Sequence, residues 1–398
     1  MQFREDKKSG SQLSVLGFGC MRFPKSFGSI DMQKTEKLVL DAIDKGVNYF
    51  DTAYLYGGSE EALGTILKNH NVRDKVNIAT KLPLVFCNKK DDIDKFFNKQ
   101  LQRLQTDHID YYLMHMLTDL NSWEKLCNWD IKKWIEEKKA KGQIKNIGFS
   151  FHGTQEEFLK ILDAYDWDFC QIQYNYSDEN YQAGVTGLKK AAEKGIPVII
   201  MEPLLGGKLA NGLPDEAVKL FQKSNSKYST VGWALRWLLD QPEVTVILSG
   251  MNEDRQLEEN IEVANECPPG TLKPDEYETY KKVKDIFQSS YKVHCTGCNY
   301  CMPCPKNVNI PACFAAYNTS YTMGLGAGRN QYMLSSGATS ETQSSAGLCV
   351  KCGKCEKHCP QGIPIRKELE NVRQRMEPFW YRIGVRAVRI FLRKGRKN

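Results

Sequence analysis

Eight cysteines near the end of the chain stand at the spacing of metal ligands. Cys295, Cys298, Cys301 and Cys304 form one run, each separated from the next by two residues, and Pro305 closes it. Cys349, Cys352, Cys355 and Cys359 form a second, with three residues before the last cysteine and Pro360 after it. Thiolates at two-residue intervals can wrap three corners of an iron–sulfide cubane, and the fourth iron then needs a thiolate from elsewhere. Tetrahedral zinc takes four ligands, usually as two Cys-x2-Cys pairs, so two triplets plus two further cysteines exceed its need. The pattern points to iron–sulfur. Cys20, Cys87, Cys127, Cys170 and Cys267 are scattered over the rest of the chain and read as ordinary buried thiols, as does Cys313.

A second set of reactive side chains lies far upstream, and its meaning depends on the elements that carry it. From residue 15 to 265, short apolar runs alternate with longer amphipathic segments. The runs Val15–Cys20, Asn48–Thr52, Val76–Lys81, Ile109–His115, Ile144–Ser150, Phe169–Tyr174, Pro197–Met201 and Val244–Ser249 read as strands. Helical periodicity follows each one, for instance over Thr35–Lys45, Glu60–Lys68 and Glu124–Lys141. Eight strand–helix units predict an α/β fold, a (β/α)8 TIM barrel. A doubly wound open sheet would use fewer strands and a Gly-rich turn after the first, and that turn is missing. In such barrels chemistry sits at the C-terminal strand ends. Asp51, Lys81 and His115 end strands two, three and four, and Tyr56 lies in the loop after strand two. Each alone has a structural reading: a turn cap, a surface charge, a core histidine, a packing ring. Four on one rim favour chemistry.

The segments FDTAYLYGGSEEALG (Phe50–Gly64), ATK (Ala79–Lys81) and IDYYLMH (Ile109–His115) resemble the aldo-keto reductase superfamily, with similarity running from about Leu13 to Ala264. The whole chain resembles the subgroup with an appended C-terminal 4Fe-4S ferredoxin-type domain. The resemblance implies a barrel that reduces small-molecule aldehydes or ketones with NAD(P)H. Tyr56 is then the proton donor, its phenol pKa brought down from about 10 by the Lys81 ammonium. Asp51 pairs with Lys81, and His115 orients and polarises the carbonyl. Ser150 and Gln171 match the family's amide-contacting positions. Ser249, Gly250, Asn252, Glu259 and Asn260 match its dinucleotide segment, and Arg255 as a partner for a 2′-phosphate favours NADPH over NADH. Two positions depart from the pattern: Phe151 stands where Asn is common, and Met201 where an aromatic ring usually stacks on nicotinamide, although a thioether can also cover a ring face.

In bacterial two-cluster ferredoxins the cysteine before proline reaches across to the other cluster. That resemblance implies two [4Fe-4S] clusters, one held by Cys295, Cys298, Cys301 and Cys359, the other by Cys349, Cys352, Cys355 and Cys304. The second run fits without deviation, and the first is one residue short before its last cysteine. The long gap between the runs is similar to that of the α-helical ferredoxins in respiratory and heterodisulfide reductases, with room for a helix around Pro311–Tyr317. The Gly- and Ser-rich stretch Tyr321–Gly347 reads as a loop; Gly324, Gly326 and Gly328 lack the spacing of a nucleotide motif.

The expected organisation is a barrel over 1–270, a connecting helix over 271–290, an iron–sulfur domain over 291–373 and a basic amphipathic tail over 374–398. Phe379, Trp380, Ile383, Val388, Phe391 and Leu392 alternate in that tail with arginines, so it lies on anionic lipid, docks an acidic partner or packs back on its own protein. The net charge of +7 owes much to this tail, and with no nucleic-acid-binding motif beside it nucleic acid is not an expected partner. A polar start without a signal peptide and the lack of a spanning apolar run predict a cytoplasmic protein. Hydride carries two electrons and a cubane one. Three readings follow: a reductase whose clusters exchange electrons with a redox partner protein, with or without a mediating flavin, for which no fingerprint is visible; a reductase whose clusters are structural or redox-sensing; or a non-enzymatic electron-transfer or binding protein, against which the intact Asp51, Tyr56, Lys81 and His115 set argues.

Overall fold

The computed structural model describes residues 1–153, 155–180, 182–289, 291–295, 297, 301–336, 343–359 and 361–385. The chain forms two compact units. One comprises Met1–Leu209 and Ser226–Tyr277, the other Ala210–Asn225 and the chain from Glu278 onward.

The first unit is a closed barrel of eight parallel strands: β1 (Leu16–Gly19), β2 (Tyr49–Asp51), β3 (Asn77–Leu82), β4 (Ile109–Leu117), β5 (Ile144–Phe151), β6 (Phe169–Gln173), β7 (Val198–Met201) and β8 (Val244–Ser249). Each pairs with the next and β8 returns to β1. These are the strands expected from the apolar runs, with small shifts at the ends. Strands buried on both faces read as continuous apolar stretches, which is why the pattern was plain. Side chains fill the interior: Tyr49, Tyr111 and Phe169 stack across it with ring centroids 5.1 and 5.0 Å apart. Gly17 on β1 is a consequence, because a Cβ there would lie 2.8 Å from the side chains of Leu248 and Val246. Tyr111 donates a 2.7 Å hydrogen bond to Asp6, which closes the floor. A packed floor leaves the opposite rim for chemistry.

The single helix expected over Glu124–Lys141 is two, Leu120–Cys127 and Ile131–Ala140. Asp130 between them sits at φ 59°, a left-handed conformation that no helix interior accommodates. Asp119 caps the first by accepting the Ser122 N–H at 2.8 Å.

The second unit packs helices Ile310–Thr322, Leu325–Ser335 and Ile365–Met376 around Val308, Phe314, Tyr332, Val372 and Met376. The loop expected over Tyr321–Gly347 is therefore wrong in its first half. Gly328 is the reason: a Cβ on it would come within 2.5 Å of Ser320, so this glycine lets two helices touch backbone to backbone. Its Gly content signalled close packing where it read as punctuation. Helix Asp215–Ser224 joins this unit, with Phe221 edge-on to Tyr280 at 5.6 Å. In the tail, residues 379–385 are helical; Tyr381 and Val385 enter the core while Phe379, Trp380 and Ile383 remain exposed. Val388, Phe391 and Leu392 lie outside the described residues. Among the described residues no helix is long and apolar enough to cross a membrane.

Candidate functional site

Strands β2, β3 and β4 are neighbours, so their C-terminal ends bring Asp51, Lys81 and His115 together. The Lys81 ammonium donates to both Asp51 carboxylate oxygens and to the Thr52 carbonyl, each at 2.7 Å. Lys81 is 1% exposed and Asp51 4%, so neither charge is hydrated and each depends on the other. Tyr56 leans over this pair with its ring centroid 5.1 Å from the ammonium. Its ring meets that of His115 edge-on, centroids 6.4 Å apart. The loop holding Tyr56 is tied down: Thr52 Oγ1 and Ser59 Oγ share a 2.8 Å hydrogen bond, and Ser59 Oγ donates onward to the Cys20 carbonyl at 3.1 Å.

His115 owes its position to a β-bulge. Met114 pairs with Phe149 and Leu117 with Phe151, so His115 and Met116 together face Ser150 alone. Met116 takes φ 58°, and its displaced N–H donates to Ser150 Oγ at 2.8 Å. Bulges next to reactive sites re-aim a side chain in this way. Ser150, expected as a cofactor contact, thus closes the bulge. Gln171 likewise donates to Asp51 at 3.0 Å.

A buried cluster braces the backbone of Lys81. Glu60 accepts from Thr80 Oγ1 at 2.6 Å, from Gln100 at 2.7 Å and from Arg103 at 3.2 Å, and Gln100 also donates to the Lys81 carbonyl at 3.0 Å. None of these appeared among the expected site residues. A signal existed: Glu60 shares the i, i+3, i+4, i+7 face of its helix with Leu63, Gly64 and Leu67, all buried. A carboxylate on an apolar stripe needs buried partners.

The electrostatics correct one expectation. Burial raises the Tyr56 phenol above its ordinary pKa, and Lys81, which pulls it down, does not overcome that. Tyr56 is therefore held protonated. Burial is also the largest influence on Lys81 and pulls it down, but Asp51 and Tyr56 together keep it above the usual range, so it stays an ammonium. His115 falls to about 3 through burial, then Lys81, then His152, and is neutral. Its Nδ1 is buried and has no hydrogen-bond partner among the described residues. A protonated phenol beside a fixed ammonium, with a neutral imidazole across from it, can hand a proton to an oxygen that is gaining negative charge.

The remaining cofactor positions lie at the ends of β7 and β8 and in the loop and helix Asp254–Glu266 that follow β8. Met201 is half-buried and packs on the barrel-interior cluster. Asn260 donates to Ser249 Oγ at 2.8 Å, and its own buried Oδ1 has no partner among the described residues. Gly250, Asn252 and Arg255 are exposed, the last in the first turn of helix Asp254–Glu266. The N–H groups at that helix start suit phosphate oxygens. Glu259 accepts from Ser229 Oγ. Phe151 is fully buried against Phe158, which explains why no amide stands there. An unpaired amide oxygen and an uncapped helix start fit a dinucleotide.

In the second unit, Cys301, Cys304, Cys349, Cys352 and Cys355 line a cavity of about 290 Å³. Two cysteines of the first run, Cys301 and Cys304, thus share this cavity with the second triplet. The turn of that triplet carries Lys351 and Gly353 at φ 58° and 74°, and the Lys351 N–H points at Cys349 Sγ, 3.4 Å away. Among the described residues no three His, Cys, Asp or Glu side chains converge as a single metal ion requires. Five thiols around one cavity exceed the four ligands of a tetrahedral zinc site. Cys295 and Cys359 pack on the same apolar core, and Cys298 lies outside the described residues. Cys313 is buried, its thiol pushed up by desolvation; of the scattered cysteines, Cys127 is half-buried and the others buried.

Fold, rim and cysteine-lined cavity define a barrel oxidoreductase with an iron–sulfur domain. The model of the aldo/keto reductase family matches residues 15–284, and that of a 4Fe-4S dicluster domain matches residues 294–364. The chain belongs to the aldo/keto reductase family. It is 28% identical over 313 residues to L-galactose dehydrogenase of Arabidopsis thaliana, covering 72% of this chain and 95% of that one. It is 25% identical over 294 residues to the NADP(+) aldo-keto reductase yakc of Schizosaccharomyces pombe, covering 64% and 85%. The solved structure of aldo-keto reductase AKR11C1 from Bacillus halodurans in its holo form aligns with a TM-score of 0.59 at 26% identity, covering 71% of this chain and 96% of that one.

Proposed function

We propose that the barrel reduces a small-molecule aldehyde or ketone with NADPH, and that the second unit carries two [4Fe-4S] clusters that exchange electrons with a redox partner protein. The observation that carries the first part is the buried Lys81–Asp51 pair with Tyr56 over its ammonium and His115 edge-on to that ring, all on one rim. Bound nicotinamide supplies the hydride. Tyr56 gives its phenolic proton to the carbonyl oxygen, and the Lys81 ammonium stabilises the phenolate left behind. Asp51, steadied by Gln171, holds Lys81 in place. Neutral His115 donates one N–H to the same oxygen and orients it. Ser249, Asn260 and the start of helix Asp254–Glu266 would hold the dinucleotide, with Arg255 as the group for a 2′-phosphate and Met201 as the apolar side chain toward the nicotinamide.

The test is a carbonyl screen with anaerobically purified, reconstituted protein, run in both directions across pH. With His115 lowered to about 3 and Tyr56 raised, both stand in the form that reduction needs throughout the neutral range. The reduction rate is therefore flat from roughly pH 5 to 9, whereas alcohol oxidation, which needs the phenolate, climbs with pH. A reduction profile that falls through neutrality shows a lowered Tyr56; no NADPH-dependent turnover with any carbonyl removes the proposal. NADPH added anaerobically without substrate bleaches the cluster absorbance if the two centres exchange electrons and leaves it unchanged if the clusters are structural.

For the clusters, one ligand set is Cys295, Cys298, Cys301 and Cys359, the other Cys349, Cys352, Cys355 and Cys304; this division rests on the resemblance to two-cluster ferredoxins, since Cys301 and Cys304 both line the cavity of the second triplet. Each cluster supplies a one-electron site. Cys304→Ala lowers bound iron from about eight to about four per chain while Cys313→Ala leaves it unchanged. Equal iron in the wild type and Cys304→Ala rules out this pairing.

A further inference from the structure

A cavity of about 290 Å³ opens beside His115 on the barrel unit. Its apolar wall includes Leu84, Leu126 and Trp129, and its polar groups include His115 and Lys125. For scale, an engineered apolar cavity of about 150 Å³ accepts benzene. This space holds an aromatic ring or short chain with a substituent at either end. Large apolar side chains that should be buried stay exposed around it: Val85 at 71%, Met116 at 50% and Leu55 at 38%, all three lining the cavity. Gathered at one mouth, they mark a surface that awaits an apolar ligand.

The cation is the specific feature. Lys125 lies in the last turn of helix Leu120–Cys127, with its Nζ 4.8 Å from the centroid of Trp129. Many lysines of the barrel find a carboxylate, as Lys90 does with Asp130 and Lys138 with Asp94. Among the described residues Lys125 has none, and no Asp or Glu lines the cavity. The helix C-terminus accounts for a cation in that turn, but not for its seat on an aromatic wall shared with His115. An ammonium bordering an apolar cavity selects a ligand of opposite charge.

We propose that the substrate is an oxo acid: an apolar body bearing the carbonyl near one end, which meets Tyr56 and His115, and a carboxylate elsewhere on the body, which meets Lys125. This deepens the carbonyl-reducing reading of the rim and rests on it.

The test compares 4-formylbenzoate with the isosteric, uncharged 4-formylbenzamide. Binding is measured by calorimetry on the full-length, cluster-loaded protein saturated with NADP+, where no hydride is available. The acid binds about tenfold more tightly than the amide, Lys125→Gln erases the difference, and Lys125→Arg keeps it. Equal binding of the two probes, binding of neither, or an acid preference that survives Lys125→Gln overturns the inference. A Lys125-dependent acid preference with no reduction of either aldehyde by NADPH leaves the anion site standing and removes the reductase reading instead.

Discussion

Tyr56→Phe lowers carbonyl reduction by about 100- to 10,000-fold and leaves NADPH binding as it was. The substitution deletes one oxygen and keeps the ring, so the edge-on contact with His115 and the position over Lys81 survive. What disappears is the proton that the developing alkoxide needs. Neither neighbour replaces it well. Lys81 spends its hydrogens on Asp51 and the Thr52 carbonyl, and His115 offers only a neutral imidazole N–H. Single-turnover reduction at saturating NADPH isolates this step from product release. A rate within a few-fold of wild type would move the donor role from Tyr56 to His115, and His115→Gln would then carry the large loss.

The strands were legible because each is an apolar run flanked by an amphipathic helix, and buried parallel strands leave no other pattern. The convergence of Asp51, Lys81 and His115 followed from that: consecutive strands of a barrel are neighbours, so residues ending them share a rim. What lay hidden has a common physical character. The bulge that aims His115 requires two residues on β4 to face one on β5, and a strand pattern of period two does not announce the extra residue. The contacts that Ser150 and Gln171 make within the fold, to the Met116 N–H and to Asp51, were hidden too, because which neighbour an amide or hydroxyl meets depends on distances known only once the barrel is closed. The sign at Tyr56 was missed because one attractive charge was weighed without the cost of removing a phenolate from water, and burial prevails. In the second unit, Gly328 looked like loop material because the sequence does not say whether a glycine frees the backbone or admits a neighbour.

Lys81→Met destabilises the barrel by about 3–5 kcal/mol, a fall in melting temperature on the order of 10 °C. Methionine fills much of the same volume, so the loss is electrostatic in origin. Asp51 is left 4% exposed with Gln171, among the described residues, as its one remaining side-chain donor, since the lysine that satisfied both its oxygens is gone. The Thr52 carbonyl loses its partner as well. An uncompensated buried carboxylate costs more than the pair contributed, because the desolvation of both charges had already been met within the fold. The double variant Asp51→Asn, Lys81→Met removes that charge, and it is more stable than Lys81→Met alone by over half of the loss, the non-additivity expected of groups in direct contact. Activity does not return with stability, since no ammonium remains to stabilise the Tyr56 phenolate. Chemical denaturation of the four proteins of this cycle measures the coupling. If the single and double variants unfold at the same denaturant concentration, the two charges do not depend on each other, and the rim is held by its backbone alone.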